Sequence, residues 1–200
     1  MPDWRRARDW LCNPDAQVSA HYIISEQGDV VQMVEEDQRA WHAGAGSWGD
    51  ITDVNSRSIG IELNNDGSSP FAAPLMDALE ALLPDIMDRW AIPAHRVIAH
   101  SDLAPGRKID PGPRFDWARL GRGEMAVTAN ATQAAPLDQA AFSANLTAIG
   151  YSTAPDFDVR LGAFRLRHRQ GHTGALDGWD CALAGDLAMR FPIAHHGLTA

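Results

Sequence analysis

Side chains able to do hydrolytic chemistry fall within two short stretches. "RSIGIELNND" (57–66) sets Glu62 between Ile61 and Leu63 in a β-rich apolar run, and a strand core seldom accepts a charge without a partner. "VIAHSDLAPGRKIDPGP" (97–113) puts His100 at the end of a second β-rich run, with Lys108 and Asp110 in the Pro- and Gly-punctuated loop that follows. Imidazole and carboxylate are ligands zinc accepts, and a catalytic zinc takes three protein ligands plus water. A His and an Asp held at one sheet edge by a Pro-stiffened loop can reach one metal, but their spacing alone does not separate a metal pair from a structural loop contact. Glu62 likewise reads either as a base beside a cation or as a salt-bridged strand residue.

The surrounding sequence predicts the elements that position these groups. Trp4, Ala7, Trp10 and Leu11 recur at helical spacing before an Asn-Pro stop. Two β-rich runs flank Gln27-Gly28-Asp29, a hairpin signal. "AWHAGAGSWGDITDVN" (40–55) reads as a long functional loop with exposed aromatics. Leu75, Leu79, Leu82, Leu83, Ile86 and Trp90 lie on one face of a helix packed against a sheet, and "HRVIAHSD" (95–102) reads as another short strand. The expected fold class is therefore α/β, a mixed sheet flanked by helices, over residues 1–120. Residues 121–135 have linker composition. Residues 136–200 read as a small C-terminal three-helix module built on Phe142, Leu146 and Ile149, then Val159, Ala163 and Leu166, then Trp179, Leu183, Leu187 and Phe191, with Gly150 as a C-cap and Asp177 as an N-cap.

Composition narrows the partners. A net charge of -9 argues against capture of nucleic acid or of an anionic membrane, both of which need basic surface. No stretch approaches the roughly 20 apolar residues of a membrane span. Cys12 and Cys181 read as unrelated thiols. His168, His172, His195 and His196 match no metal-site spacing and read as solvent-exposed.

"SAHYIISEQGDVVQMVEEDQRAWHAG" (19–44), "NSRSIGIELNN" (55–65) and "AHSDLAPGRKIDPGPRFDW" (99–117) together resemble, in unbroken order over about residues 17 to 120, the type 2 N-acetylmuramoyl-L-alanine amidases. These are zinc hydrolases that cut the bond between muramic acid and its stem peptide. The resemblance implies that His100 and Asp110 are zinc ligands, that Glu62 accepts a proton from the attacking water, and that the Lys108 ammonium meets the oxyanion. It puts Trp41, His42 and Asn55 in the substrate groove, although loop packing accounts equally well for Trp41 and Asn55. Arg107 reads as a partner for a substrate carboxylate or as a solvated loop cation. The C-terminal module resembles small peptidoglycan-binding domains in pattern, so peptidoglycan or muropeptides are the expected partners. Cytoplasmic recycling and periplasmic remodelling both suit the family.

The chain departs from the family pattern in one respect. The resembled family has a further zinc-ligand His near the end of a strand upstream of the first helix, and the sequence here begins at that helix. The leading expectation is a native start upstream of Met1. The alternatives are a noncatalytic peptidoglycan-binding protein, or His21 as a substitute ligand. A generic zinc peptidase is disfavoured because H-E-x-x-H is absent. Loss of a strand leaves an unpaired sheet edge, so a bare groove, or one filled by a second chain, is expected beside residues 58–64.

Overall fold

In the computed structural model, which describes residues 3–152 and 156–193, the chain begins with α1 (Trp4–Leu11). Asp3 caps this helix by accepting from the Arg5 N–H at 3.0 Å. β1 (Tyr22–Ile24) and β2 (Val30–Gln32) form the expected antiparallel hairpin, and Gly28 at φ +89° supplies a turn conformation that L side chains rarely adopt. β3 (Ile61–Leu63) runs parallel to β1 on its other side, completing a mixed sheet of order β2-β1-β3.

α2 (Ala73–Trp90) buries Leu75, Leu79, Leu83 and Ile86, as its periodicity predicts. Burying these four aliphatic side chains contributes roughly 6–10 kcal/mol before conformational entropy is counted. Trp90 does not join them. Its indole is half exposed and donates through Nε1 to Glu36 Oε2 at 2.6 Å, a bond an apolar face could not supply.

The run expected to be a strand at 95–102 is not one. Ala94–Arg96 forms a 3-10 turn, residues 97–99 carry no ladder, and His100 opens the short helix α3 (His100–Leu103). The physical reason is distance: a groove of about 540 Å³ separates this run from the outer edge of β3. Ile59 to Leu63 line one wall, Val97 to Ala99 the other, and Leu79, Leu83 and Phe115 contribute to its apolar lining. Among the described residues no strand pairs with β3 on that side, so the groove expected there is present.

α4 (Trp117–Arg122) closes the first core, and α5 (Gln139–Ala148), α6 (Phe157–His168) and α7 (Gly178–Arg190) form a second. Asp138, Asp156 and Asp177 cap the last three, each accepting a backbone N–H. The inward face of α6 differs from the Val159, Ala163, Leu166 stripe read from sequence. Leu161, Phe164 and three arginines, Arg160, Arg165 and Arg167, are buried along with Ala163, because each guanidinium finds acceptors inside. On α7 Trp179 is likewise outside, and Cys181, Ala184 and Leu187 are inside. Cys12 and Cys181 are free thiols.

The two cores are joined tightly. Trp48, from the loop expected to expose its aromatics, is buried in the helical core with its ring 5.3 Å from Tyr151. Gly150, at φ +115°, allows this approach, since a Cβ there would lie 2.6 Å from the Trp48 ring. Residues 121–135 run as a pinned strap: Met125 and Ala126 enter the first core, and the Ala135 N–H donates to the Gly178 carbonyl at 2.8 Å.

Candidate active site

The loop after α3 folds back so that Asp110 reaches His100. The Ser101 N–H donates to the Asp110 carbonyl at 3.0 Å, and Oδ2 of Asp110 lies 2.9 Å from His100 Nδ1. The other ring nitrogen, Nε2, lies 2.8 Å from the Ala43 carbonyl. A carbonyl only accepts, so Nε2 carries a hydrogen; Nδ1 offers its lone pair when a metal is bound and, without one, carries a second hydrogen that it donates to Asp110. Two acceptors at that distance need a cation or a proton between them. Ligands about 2.0–2.1 Å from a tetrahedral zinc stand roughly 3.3 Å apart, so this pair fits a metal after opening by a few tenths of an ångström. Burial works against the Asp110 charge, but the His100 bond and the nearby His100 and Lys108 charges hold its carboxyl below the usual range.

Glu62 is not sealed in the strand as its flanking residues suggested. Its side chain opens into the groove, which it lines together with His42, His100 and Asp110. The groove walls still thin its hydration, and its carboxyl is raised above the ordinary value by that desolvation first and by Asp110 second, against the opposing charges of His100 and Lys108. Lys108 is part-exposed and is not among the groove-lining residues, but its charge acts on both Glu62 and Asp110, and among the described residues no ion pair holds it.

The remaining candidates divide. His42 lines the groove, packed so closely on β3 that a Cβ at Gly60 would lie 2.3 Å from its ring. Desolvation foremost lowers its pKa to about 4, so it is neutral at ordinary pH. Trp41 is exposed, is not among the groove-lining residues, and carries the Arg39 guanidinium 4.3 Å over its ring. Asn55 stands behind the wall rather than on it: buried, it accepts from the His42 and Ala43 N–H groups at 3.0 and 2.8 Å, and so orients the Ala43 carbonyl that holds His100. Arg107 donates to that same carbonyl at 2.8 Å.

His21 is no ligand. The Gly60 N–H donates to its Nδ1 at 3.0 Å, which leaves Nε2–H to donate to the Gln38 carbonyl at 3.0 Å. His168 is half-buried against Phe164 rather than exposed, and burial first, then Arg167, drives its pKa well down. His195 and His196 lie outside the described residues. Among the described residues one group of three potential metal ligands gathers, His172, Asp177 and Asp180. Arg169 already bridges both carboxylates, at 2.6 and 3.0 Å, and Arg165 pairs with Asp180, so this is an ion-pair network in which a cation would compete with two guanidinium groups.

Sequence reasoning passed over Asp102, a fully buried carboxylate two residues from His100. Its side-chain partners are Tyr151 and Arg167, in another part of the chain, so no local spacing could have signalled it.

The family described as N-acetylmuramoyl-L-alanine amidase (Amidase_2) matches residues 1–113. The N-acetylmuramoyl-L-alanine amidase AmiD of Escherichia coli K12 is 32% identical over 209 residues, covering 88% of this chain and 76% of that protein. The 1,6-anhydro-N-acetylmuramyl-L-alanine amidase AmpD of Enterobacter cloacae is 41% identical over 103 residues, about half of each chain (52% and 55%). The crystallised complex of E. coli AmiD with anhydro-N-acetylmuramic acid-L-Ala-D-gamma-Glu-L-Lys superposes with a TM-score of 0.87 at 31% identity, covering 94% of this chain and 85% of that one.

Proposed function

Because this chain belongs to the N-acetylmuramoyl-L-alanine amidase family, we propose that it hydrolyses the amide between N-acetylmuramic acid and L-alanine in peptidoglycan or its fragments, with zinc held by His100 and Asp110. The observation that carries the metal assignment is the His100 ring, fixed through Nε2 on Ala43 with Nδ1 directed at Asp110. A catalytic zinc uses three protein donors. Among the described residues no third His, Cys, Asp or Glu gathers with this pair.

When bound, zinc lowers the pKa of a coordinated water toward about 7 and polarises the amide carbonyl. Glu62, its carboxyl raised by the groove, takes the proton from the attacking water and delivers it to the leaving amine of L-alanine. Lys108 sets an ammonium where negative charge develops on the amide oxygen, a contribution of roughly 3–4 kcal/mol. The exposed Trp41 offers an apolar face to the sugar, while His42, kept neutral, supplies a hydrogen bond without charge.

The test is to incubate the protein with anhydro-N-acetylmuramyl-tripeptide and identify the products by mass. The reading expects free tripeptide and anhydro-N-acetylmuramic acid, and a loss of about 10²–10⁴-fold in kcat for Glu62→Gln. Cleavage at another bond, or an unaffected Glu62→Gln variant, overturns it.

A further inference from the structure

We infer that Tyr151 and Arg167, both in the helical half of the chain, are positioning residues for the zinc ligand His100, acting through the buried carboxylate of Asp102. The inference rests on the amidase reading. Asp102 lies in α3, two residues after His100, and has no exposed surface. Its Oδ2 accepts the Ala99 N–H at 2.8 Å, which caps the start of α3 at the residue before His100. The same oxygen accepts from Arg167 Nη1 at 2.8 Å, and Oδ1 accepts from the Tyr151 hydroxyl at 2.6 Å. A carboxylate without water is held only if its lone pairs are met, so the helix that begins with His100 is oriented by donors 49 and 65 residues further on.

The arrangement is more than general packing between two cores. Arg167 is buried, its Nε and Nη2 find no hydrogen-bond acceptor, and its guanidinium lies 4.1 Å over the Trp117 ring. An arginine sequestered with three of its five N–H donors unused is costly as packing, and a hydrophobic residue of similar volume would often serve stability as well or better. What a hydrophobic residue cannot do is hold Asp102. His100 is thus fixed from two sides: its ring by the Ala43 carbonyl that Asn55 orients, and its backbone by Asp102 with Tyr151 and Arg167 behind it. Outer partners of this kind typically change metal affinity by about 10–100-fold.

The experiment measures zinc affinity by chelator competition, the visible spectrum of the cobalt-substituted protein, and kcat and KM separately, in Tyr151→Phe, Arg167→Met, Arg167→Lys and Leu187→Ala. Tyr151→Phe removes only a hydroxyl and leaves the ring in place. It is expected to weaken zinc binding about 10-fold, shift the cobalt spectrum and lower kcat with KM little changed. Arg167→Met is expected to do more, and Arg167→Lys to restore part of the loss. Leu187→Ala opens the same helical core without touching Asp102, and is expected to lower the melting temperature while leaving zinc affinity and the cobalt spectrum as in the parent. Parental zinc affinity, spectrum and kcat in folded Tyr151→Phe overturn the inference, and so does an equal loss of affinity in Leu187→Ala. A parent protein that binds no zinc and cleaves no substrate fails the amidase reading itself, a distinct result.

Discussion

Replacing Asn55 by alanine tests the chain of contacts that fixes His100 from the loop side. The Asn55 amide oxygen accepts two N–H groups, those of His42 and Ala43, and the Ala43 carbonyl, across that residue's own Cα, holds both His100 Nε2 and Arg107 Nη2. Asn55→Ala orphans both N–H groups, one fully buried and one part-buried. An unsatisfied buried donor costs about 1–3 kcal/mol, and the part-buried one regains some hydration, so the expected loss is about 2–4 kcal/mol. The carbonyl is then free to rotate, His100 can adopt its other tautomer, and zinc affinity is expected to fall about 10–100-fold. Asn55→Asp keeps an acceptor for both N–H groups and is expected to recover most of the zinc affinity. Urea unfolding of the metal-free protein reads the first quantity, and chelator competition on the folded protein reads the second. A loss below about 0.5 kcal/mol together with parental zinc affinity would refute the positioning argument, because orphaned donors cannot be that cheap.

Three further outcomes follow from other parts of the molecule. Lys108→Met is expected to lower kcat by about 10²–10³-fold with KM largely preserved, as for other oxyanion donors; steady-state kinetics decide it. Gly60→Ala drives a methyl into the His42 ring and is expected to cost about 1–3 kcal/mol in chemical unfolding, whereas an unchanged midpoint would show that His42 moves freely. The Arg89 hydrogen bond foremost, then those of Tyr22 and Trp90, lowers the Glu36 pKa to about 2. A depressed carboxyl pKa adds stability that is present above the unfolded value near 4.5 and is lost as pH falls toward 2. With the half-exposed Arg89 discounted, that is about 1–2 kcal/mol. Stability measured from pH 6 to 2 is expected to fall less steeply in Glu36→Gln; parallel curves would contradict it.

The parts of this fold that were legible in sequence are those specified locally. The α2 stripe, the hairpin around Gly28 and the Asp177 cap each depend on neighbours within a few residues, and each is present. Glu62, His100 and Asp110, singled out from motifs in a fixed order, line one groove, and the Lys108 charge acts on Glu62 and Asp110. What failed depended on remote partners. Residues 97–99 have strand composition but stand across a groove from β3, and composition cannot supply a neighbour to pair with. Trp48 and Trp90 were misplaced because their environments come from Tyr151 and Glu36, far along the chain. Asn55 was placed in the groove through the resemblance alone, but its amide faces the backbone behind the wall. The inward arginines of α6 escaped a hydrophobic pattern because it scores charge as surface, and their acceptors, Ser143 for Arg160, Asp180 for Arg165 and Asp102 for Arg167, lie on other elements.

The most direct test of the central claim is to measure zinc content and hydrolysis of anhydro-N-acetylmuramyl-tripeptide on the same samples of parent, His100→Ala and Asp110→Ala protein. The account predicts about one zinc per chain in the parent with cleavage at the muramyl–L-alanine amide, and loss of both metal and cleavage in each variant. Cleavage that persists in variants stripped of zinc, or a parent that binds the muropeptide without zinc and leaves it intact, would contradict it.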